Sequence, residues 1–241
     1  MPDPLYIQSD IASADAAGSS IQATFGINPG AQHLIVVGAS WADSSNNITL
    51  SVADTLGTSY NRIAATHVYV NGAYIQATEM WWGVTSTTGT CTVTVTLSAA
   101  NPGSFRRLVI AEYSNVRTDT PFDAGNAFTT TGTAMDSGNI TTVQDRSLIV
   151  GLGLLRSATA NMSPGTNLAF TEHEEFATDP PIALEDAIQA AAGTISAQMT
   201  ASASVQYGLC VAAFRASVEN VVPVTLPQRS RFSIAPTQRV D

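Results

Sequence analysis

The chain carries one strand pattern twice. His33–Trp41 is a nearly unbroken apolar run, Thr90–Ser98 alternates hydroxyl and apolar residues, and Ser104–Ser114 is apolar again. The same succession returns as Ser147–Leu155, Thr194–Ala201 and Ser204–Arg215. Short apolar runs bounded by turn residues suit strands covered on both faces, whereas period-two alternation suits a strand with one wet face. Each half thus reads as a buried strand, a long excursion, an alternating strand and a second buried strand. Such a pattern buries its apolar faces by stacking sheets. The expected fold class is all-β: a two-sheet antiparallel β-sandwich of jelly-roll type, with an internal pseudo-repeat and an extended C-terminal arm.

Local signals refine this expectation. Cys91, Val93, Val95 and Leu97 fall on one face of a strand, and Thr92, Thr94 and Thr96 on the other. Asn71-Gly72 is a strong hairpin signal and joins 67–70 to 73–82. Asn28-Pro-Gly30 and Asn101-Pro-Gly103 mark turns. Residues 117–138 read as a loop-rich connection. Residues 183–190 have helical propensity, though a short strand remains open there. The resulting division is an extended leader over 1–19, a sandwich over 20–216 with halves at about 20–116 and 139–216, and an arm over 217–241.

Composition limits function. Charged residues make up 12% of the 241, about half the usual share, while 44% are hydrophobic. A chain of this length buries roughly 70–75% of its unfolded surface and needs no staples. The net charge is −9, and all ten basic residues are Arg. An acidic body without clustered cations argues against nucleic-acid binding. No apolar run approaches the roughly 20 residues of a membrane helix, and Met1-Pro-Asp-Pro4 does not begin a secretory signal. Synthesis in a cytoplasm without classical export is expected, and no membrane partner. Cys91 and Cys210 each sit within a strand pattern and read as buried free thiols.

Chemistry-bearing motifs are sparse. His33, His67 and His173 are dispersed. On a regular strand His173 and Glu175 share a face, but two ligands fall short of the three or four that zinc or iron sites take. A solvated strand face accounts for them. Asp43–Asn47 and the loop carrying Asp119 and Asp123 lack the spacing of a calcium loop, and turn chemistry accounts for their residues. There is no nucleophile elbow and no phosphate loop. No catalytic residue, cofactor or metal is expected. Trp41, Trp81 and Trp82 with Tyr60, Tyr69 and Tyr74 are candidates for a sugar-stacking platform, with core packing as the commoner fate of such rings. In Trp81-Trp82 the two rings must face opposite sides of a sheet.

The arm differs from the body. Pro223, Pro227 and Pro236 forbid a regular helix or central strand. Arg229, Arg231 and Arg239 against Glu219 and Asp241 give it a net +1, leaving −10 on residues 1–216. Fully extended, it reaches on the order of 80 Å. The candidate partner-binding residues are Val224, Leu226, Arg229, Arg231, Phe232 and Ile234.

The strands Leu34-Ile-Val-Val-Gly-Ala-Ser40, Thr92-Val-Thr-Val-Thr-Leu-Ser98, Leu108-Val-Ile-Ala-Glu-Tyr-Ser114, Ser147-Leu-Ile-Val-Gly151, Ala169-Phe-Thr-Glu172 and Val211-Ala-Ala-Phe-Arg215 resemble those of jelly-roll domains in tailed-phage structural proteins and in some bacterial surface proteins. The resemblance covers about residues 20–215. It implies a non-catalytic virion structural protein, either a capsid decoration or cement protein or a tail component. Such a protein is made in the host cytoplasm and then resides in the virion. Its partners would be copies of itself, a trimer suiting the decoration role, and other virion proteins such as the major capsid protein. The alternative is a carbohydrate-binding module or adhesin whose partner is a glycan.

Overall fold

The computed structural model describes residues 2–43, 48–63, 68–70, 75–101, 105–156, 159–177 and 180–218. All regular structure among them is β. In the first half the strands are β1 (Leu5–Ala14), β2 (Gly18–Thr24), β3 (Leu34–Asp43), β4 (Leu50–Asp54), β5 (Tyr60–Arg62), β6 (Val68–Val70), β7 (Ile75–Val84), β8 (Thr92–Asn101) and β9 (Arg106–Ser114). The second half has β10 (Phe122–Asp136), β11 (Ile140–Thr141), β12 (Ser147–Leu155), β13 (Met162–Ser163), β14 (Thr171–Phe176), β15 (Ile182–Gln189), β16 (Thr194–Ile195) and β17 (Gln198–Phe214).

The repeat is real at the level of topology. One inner sheet has the order β1-β9-β3-β7-β5, with β6 also on β7. The other has the order β10-β17-β12-β15-β14. Each member has its counterpart in the other half: β1 with β10, β3 with β12, β5 with β14, β7 with β15, and β9 with the C-terminal part of β17. The outer layers correspond as well. In the first half β2-β8-β4 form the outer sheet. In the second, β11 pairs with β16, while β13 pairs with the N-terminal part of β17. In each half the chain passes repeatedly between an inner and an outer layer, with first and last strands adjacent, which is jelly-roll winding.

The all-β sandwich fold is therefore as expected, but its layering is richer than two sheets. Each half supplies its own inner and outer layer, and the two inner sheets stack face to face. The apolar runs explain this: β3, β9, β12 and the end of β17 are apolar on both faces because both faces are covered. Three main cores result. Leu34, Val36, Met80, Val109 and Tyr113 meet Leu148, Val150, Leu152, Leu184 and Phe214 between the inner sheets. Ile35, Val37 and Leu108 meet Ile21, Phe25, Val93 and Val95 inside the first half. Ile149, Leu209, Val211, Met199 and Phe170 fill the second. Burying each large apolar side chain contributes about 1.5–3 kcal/mol, so pulling the inner sheets apart would cost on the order of tens of kcal/mol.

Other local expectations meet the structure in different ways. Cys91, Val93, Val95 and Leu97 are all buried on one face of β8. Neither cysteine is in a disulfide, and the two lie in separate cores. Residues 183–190 are mostly strand β15, because the slot between β12 and β14 overrides helix propensity. Residues 5–14, read as a leader, pair with β9 along their length. Most of the connection 117–138 is the long edge strand β10. The β6–β7 pairing makes the hairpin expected around Asn71-Gly72, whose turn lies outside the described residues.

Candidate functional site

A cleft of about 490 Å³ opens where the two halves end side by side. Its wall is built from the Asn28-Pro-Gly30 turn upward. Gln32 takes a positive φ of 62° and turns the chain into β3. Thr85 locks the turn: its hydroxyl donates to Gly30 O at 2.6 Å and accepts from the His33 N–H at 3.0 Å. The imidazole of His33 then lies over Gly30, where a Cβ would approach the ring to 2.5 Å, so the turn needs glycine. His33 Nδ1 is 2.5 Å from Glu112 Oε1. Glu112 is buried and also accepts from Gly30 N–H at 2.9 Å and from Gln8 Nε2 at 2.6 Å.

A histidine oriented by a buried carboxylate is the base half of an acid–base dyad, which needs a hydroxyl to activate. Ser114, Thr118 and Ser217 are near the cleft, yet none hydrogen-bonds to His33 among the described residues. The bonds of Glu112 instead tie β1, the turn and β9 together. The cleft's cation is also engaged. Arg117 grips Asp119 through two bonds of 2.6 and 2.9 Å, and this holds the Asp119 carboxyl down at about 2. On the far side, an isolated bridge between Val116 and Ala216 and the bond from Ser217 N–H to Asn115 O stitch the two halves together. Val218 follows, about half exposed, and the arm begins there.

A second polar cluster joins the two inner sheets where β1 meets β14. His173 stacks on Tyr6 with ring centroids 3.6 Å apart, and its Nε2 is 2.8 Å from Asp186 Oδ2. Ser9 donates to Glu174 at 2.7 Å. Tyr113 is buried beside Asp186, and burial pushes its phenol well up. Nearby, Arg107, 1% exposed, stacks over Phe176 at 4.4 Å. Here the structure corrects the sequence reading of a face shared by His173 and Glu175. A bulge between Glu172 and Glu174 resets the alternation. His173 and Glu174 reach inward to β1, while Glu175 accepts from Met162 N–H on the outer side.

A third group lies on that outer side. Glu185 is fully buried; its Oε2 accepts from Gly165 N–H at 2.8 Å, and its Oε1 has no partner among the described residues. Burial, helped by the negative charges of Glu172 and Asp186, pushes its pKa up to about 8. With its pKa at about 8, the buried carboxyl is mostly protonated at neutral pH.

The remaining expectations can be placed. Val224, Leu226, Arg229, Arg231, Phe232 and Ile234 lie outside the described residues, as do His67 and Tyr74. Asp123 is paired with Arg215 at 2.9 Å, so the loop acids at 119 and 123 are each spent on an arginine. Trp41 is buried in a small core with Ile48 and Leu97, Trp81 packs inside the first half, and Trp82 packs between the inner sheets. The three rings form no common platform. Sequence reading missed Glu112 and Glu185. Their signal was present, a carboxylate inside an apolar strand, since a buried acid needs partners or a proton. Comparison with protein-family models, with curated proteins and with solved structures finds no match for this chain.

Proposed function

We propose that this protein is a non-catalytic structural building block, a virion decoration, cement or tail protein, that grips its neighbours through its C-terminal arm. The observation that carries the reading is the use made of polar groups in the body. Glu112, Arg107, His173 and Asp186 are all engaged in contacts that hold strands and sheets to one another. A body stiffened in this way suits a load-carrying block. The arm leaves it at a fixed point, beside the bridge that joins the halves. Its sequence supplies apolar anchors, with Arg229 and Arg231 between Leu226 and Phe232, and a net +1 against a body of −10. Those are the terms that offset the entropy of ordering an extended segment on an acidic neighbour. The virion setting rests on the resemblance of the strand motifs.

The test is Phe232→Ala in the full chain, read by light scattering and by binding to purified shells or tails. Weakened assembly with an unchanged far-ultraviolet spectrum is expected, because an aromatic anchor commonly carries 2 kcal/mol or more of an interface. Unchanged assembly would overturn the arm's role. Affinity for glycans by the monomer, without self-association, would replace the reading with a lectin.

A further inference from the structure

The two inner sheets end in edge strands, and these edges are not alike. A strand edge presents unpaired N–H and C=O groups and invites pairing, so natural edges are blunted with charges, proline or bulges. β1 carries Asp10 and a bulge between Tyr6 and Gln8. β14 carries Glu172, Glu174 and Glu175, and β5 carries Arg62. β10 is the exception. From Ala124 to Met135 it has no charged residue and no proline. Its register with β17 shifts near either end, between Phe122 and Ala124 and between Gly132 and Ala134, but runs unbroken from Ala124 to Gly132, and among the described residues β17 is its ladder partner on one side only. Phe128, on the outer face with Leu209, is 51% exposed, and Thr129, Thr130 and Thr131 are exposed beside it.

From this we infer that β10 is a self-association edge: it pairs antiparallel with β10 of a second copy of this chain about a two-fold axis at Thr130. The occupant follows from the strand's own sequence. In that register Thr130 meets Thr130, Thr129 meets Thr131, and Phe128 lies across from Gly132. A Cβ at Gly132 would meet nothing closer than 3.9 Å, so the glycine leaves open ground for an aromatic ring. Aromatic cover of an edge glycine is a known stabilising pair in sheets. The unbroken stretch from Ala124 to Gly132 holds no charged residue, so no like charges meet within it. A chain of net charge −9 resists meeting its own copy, and β10 offers a neutral strip on which it can. A two-fold contact of this kind is self-complementary and closes. The inference is independent of the arm.

The experiment uses the full chain and sedimentation velocity. Wild type is expected to dimerise, and Thr130→Lys, which places two like charges across the axis, is expected to stay monomeric at the same concentration. Thr130→Cys should become disulfide-linked under a mild oxidant, while Thr96→Cys, on the exposed face of the central outer strand, should not. Cys91 and Cys210 are buried and give no background. Far-ultraviolet spectra of each variant check folding. A monomeric wild type, a Thr130→Lys dimer of undiminished strength, or cross-linking of Thr130→Cys no faster than of Thr96→Cys would overturn the inference. So would association that Phe232→Ala abolishes and Thr130→Lys leaves intact, a result that would leave the arm proposal standing.

Discussion

Glu185 is the residue whose chemistry is furthest from its sequence neighbourhood. It stands in Ile182-Ala-Leu-Glu-Asp-Ala, where an acid on a strand would ordinarily face water. Its folded-state pKa of about 8 lies above the usual 4.5. The sign follows from linkage: the neutral form is favoured by the fold, so its contribution to stability is fully present below about pH 4.5 and is lost as pH rises through about 8. Full expression of the shift is worth on the order of 5 kcal/mol. Glu185→Gln keeps an acceptor for Gly165 N–H and removes the titration. The variant should be the more stable form near pH 8, and its denaturation midpoint should vary less than wild type's between about pH 5 and about pH 9. Parallel pH profiles for the two proteins would refute the account of this site. Composition shows that a carboxylate is there; which face of β15 it takes, and that Gly165 comes to meet it, are tertiary facts.

Elements were legible where period decided them. β3, β8, β9, β12 and the end of β17 stand where the apolar and alternating runs put them, because one face or two had to be buried. β1, β10 and β15 were less legible, since an edge strand needs only a partner and β15 only a slot. The bulge in β14 was invisible, because nothing in Thr171-Glu-His-Glu-Glu-Phe176 marks where alternation breaks. The stacking of β3 on β12 gives a sharp test of the inner interface. Gly38 receives Leu152 from the other half, and a Cβ there would come within 2.6 Å of its Cδ1. Gly38→Val should therefore force the two inner sheets apart locally and destabilise by about 1–3 kcal/mol or more, read as a lower denaturant midpoint. A wild-type midpoint would mean that the halves do not meet so closely.

For the whole molecule, the repeated pattern yields two windings of one kind fused through a shared core, with stitching at Val116–Ala216 and Arg107–Phe176. The number of layers lay beyond the sequence, because a run apolar on both faces says that both are covered and not by what. The candidate sites divide similarly. The arm is legible as composition alone, and the edge of β10 became a site only once its neighbours were known. Both proposals describe a molecule that works by joining others. Mass measurement on the intact chain in solution, across a rising concentration series, tests this most directly. The account predicts species heavier than one 25.1 kDa chain, growing in population with concentration and lost when Thr130→Lys and Phe232→Ala are combined. A single 25.1 kDa species at every concentration, with or without purified shells and tails present, would contradict it.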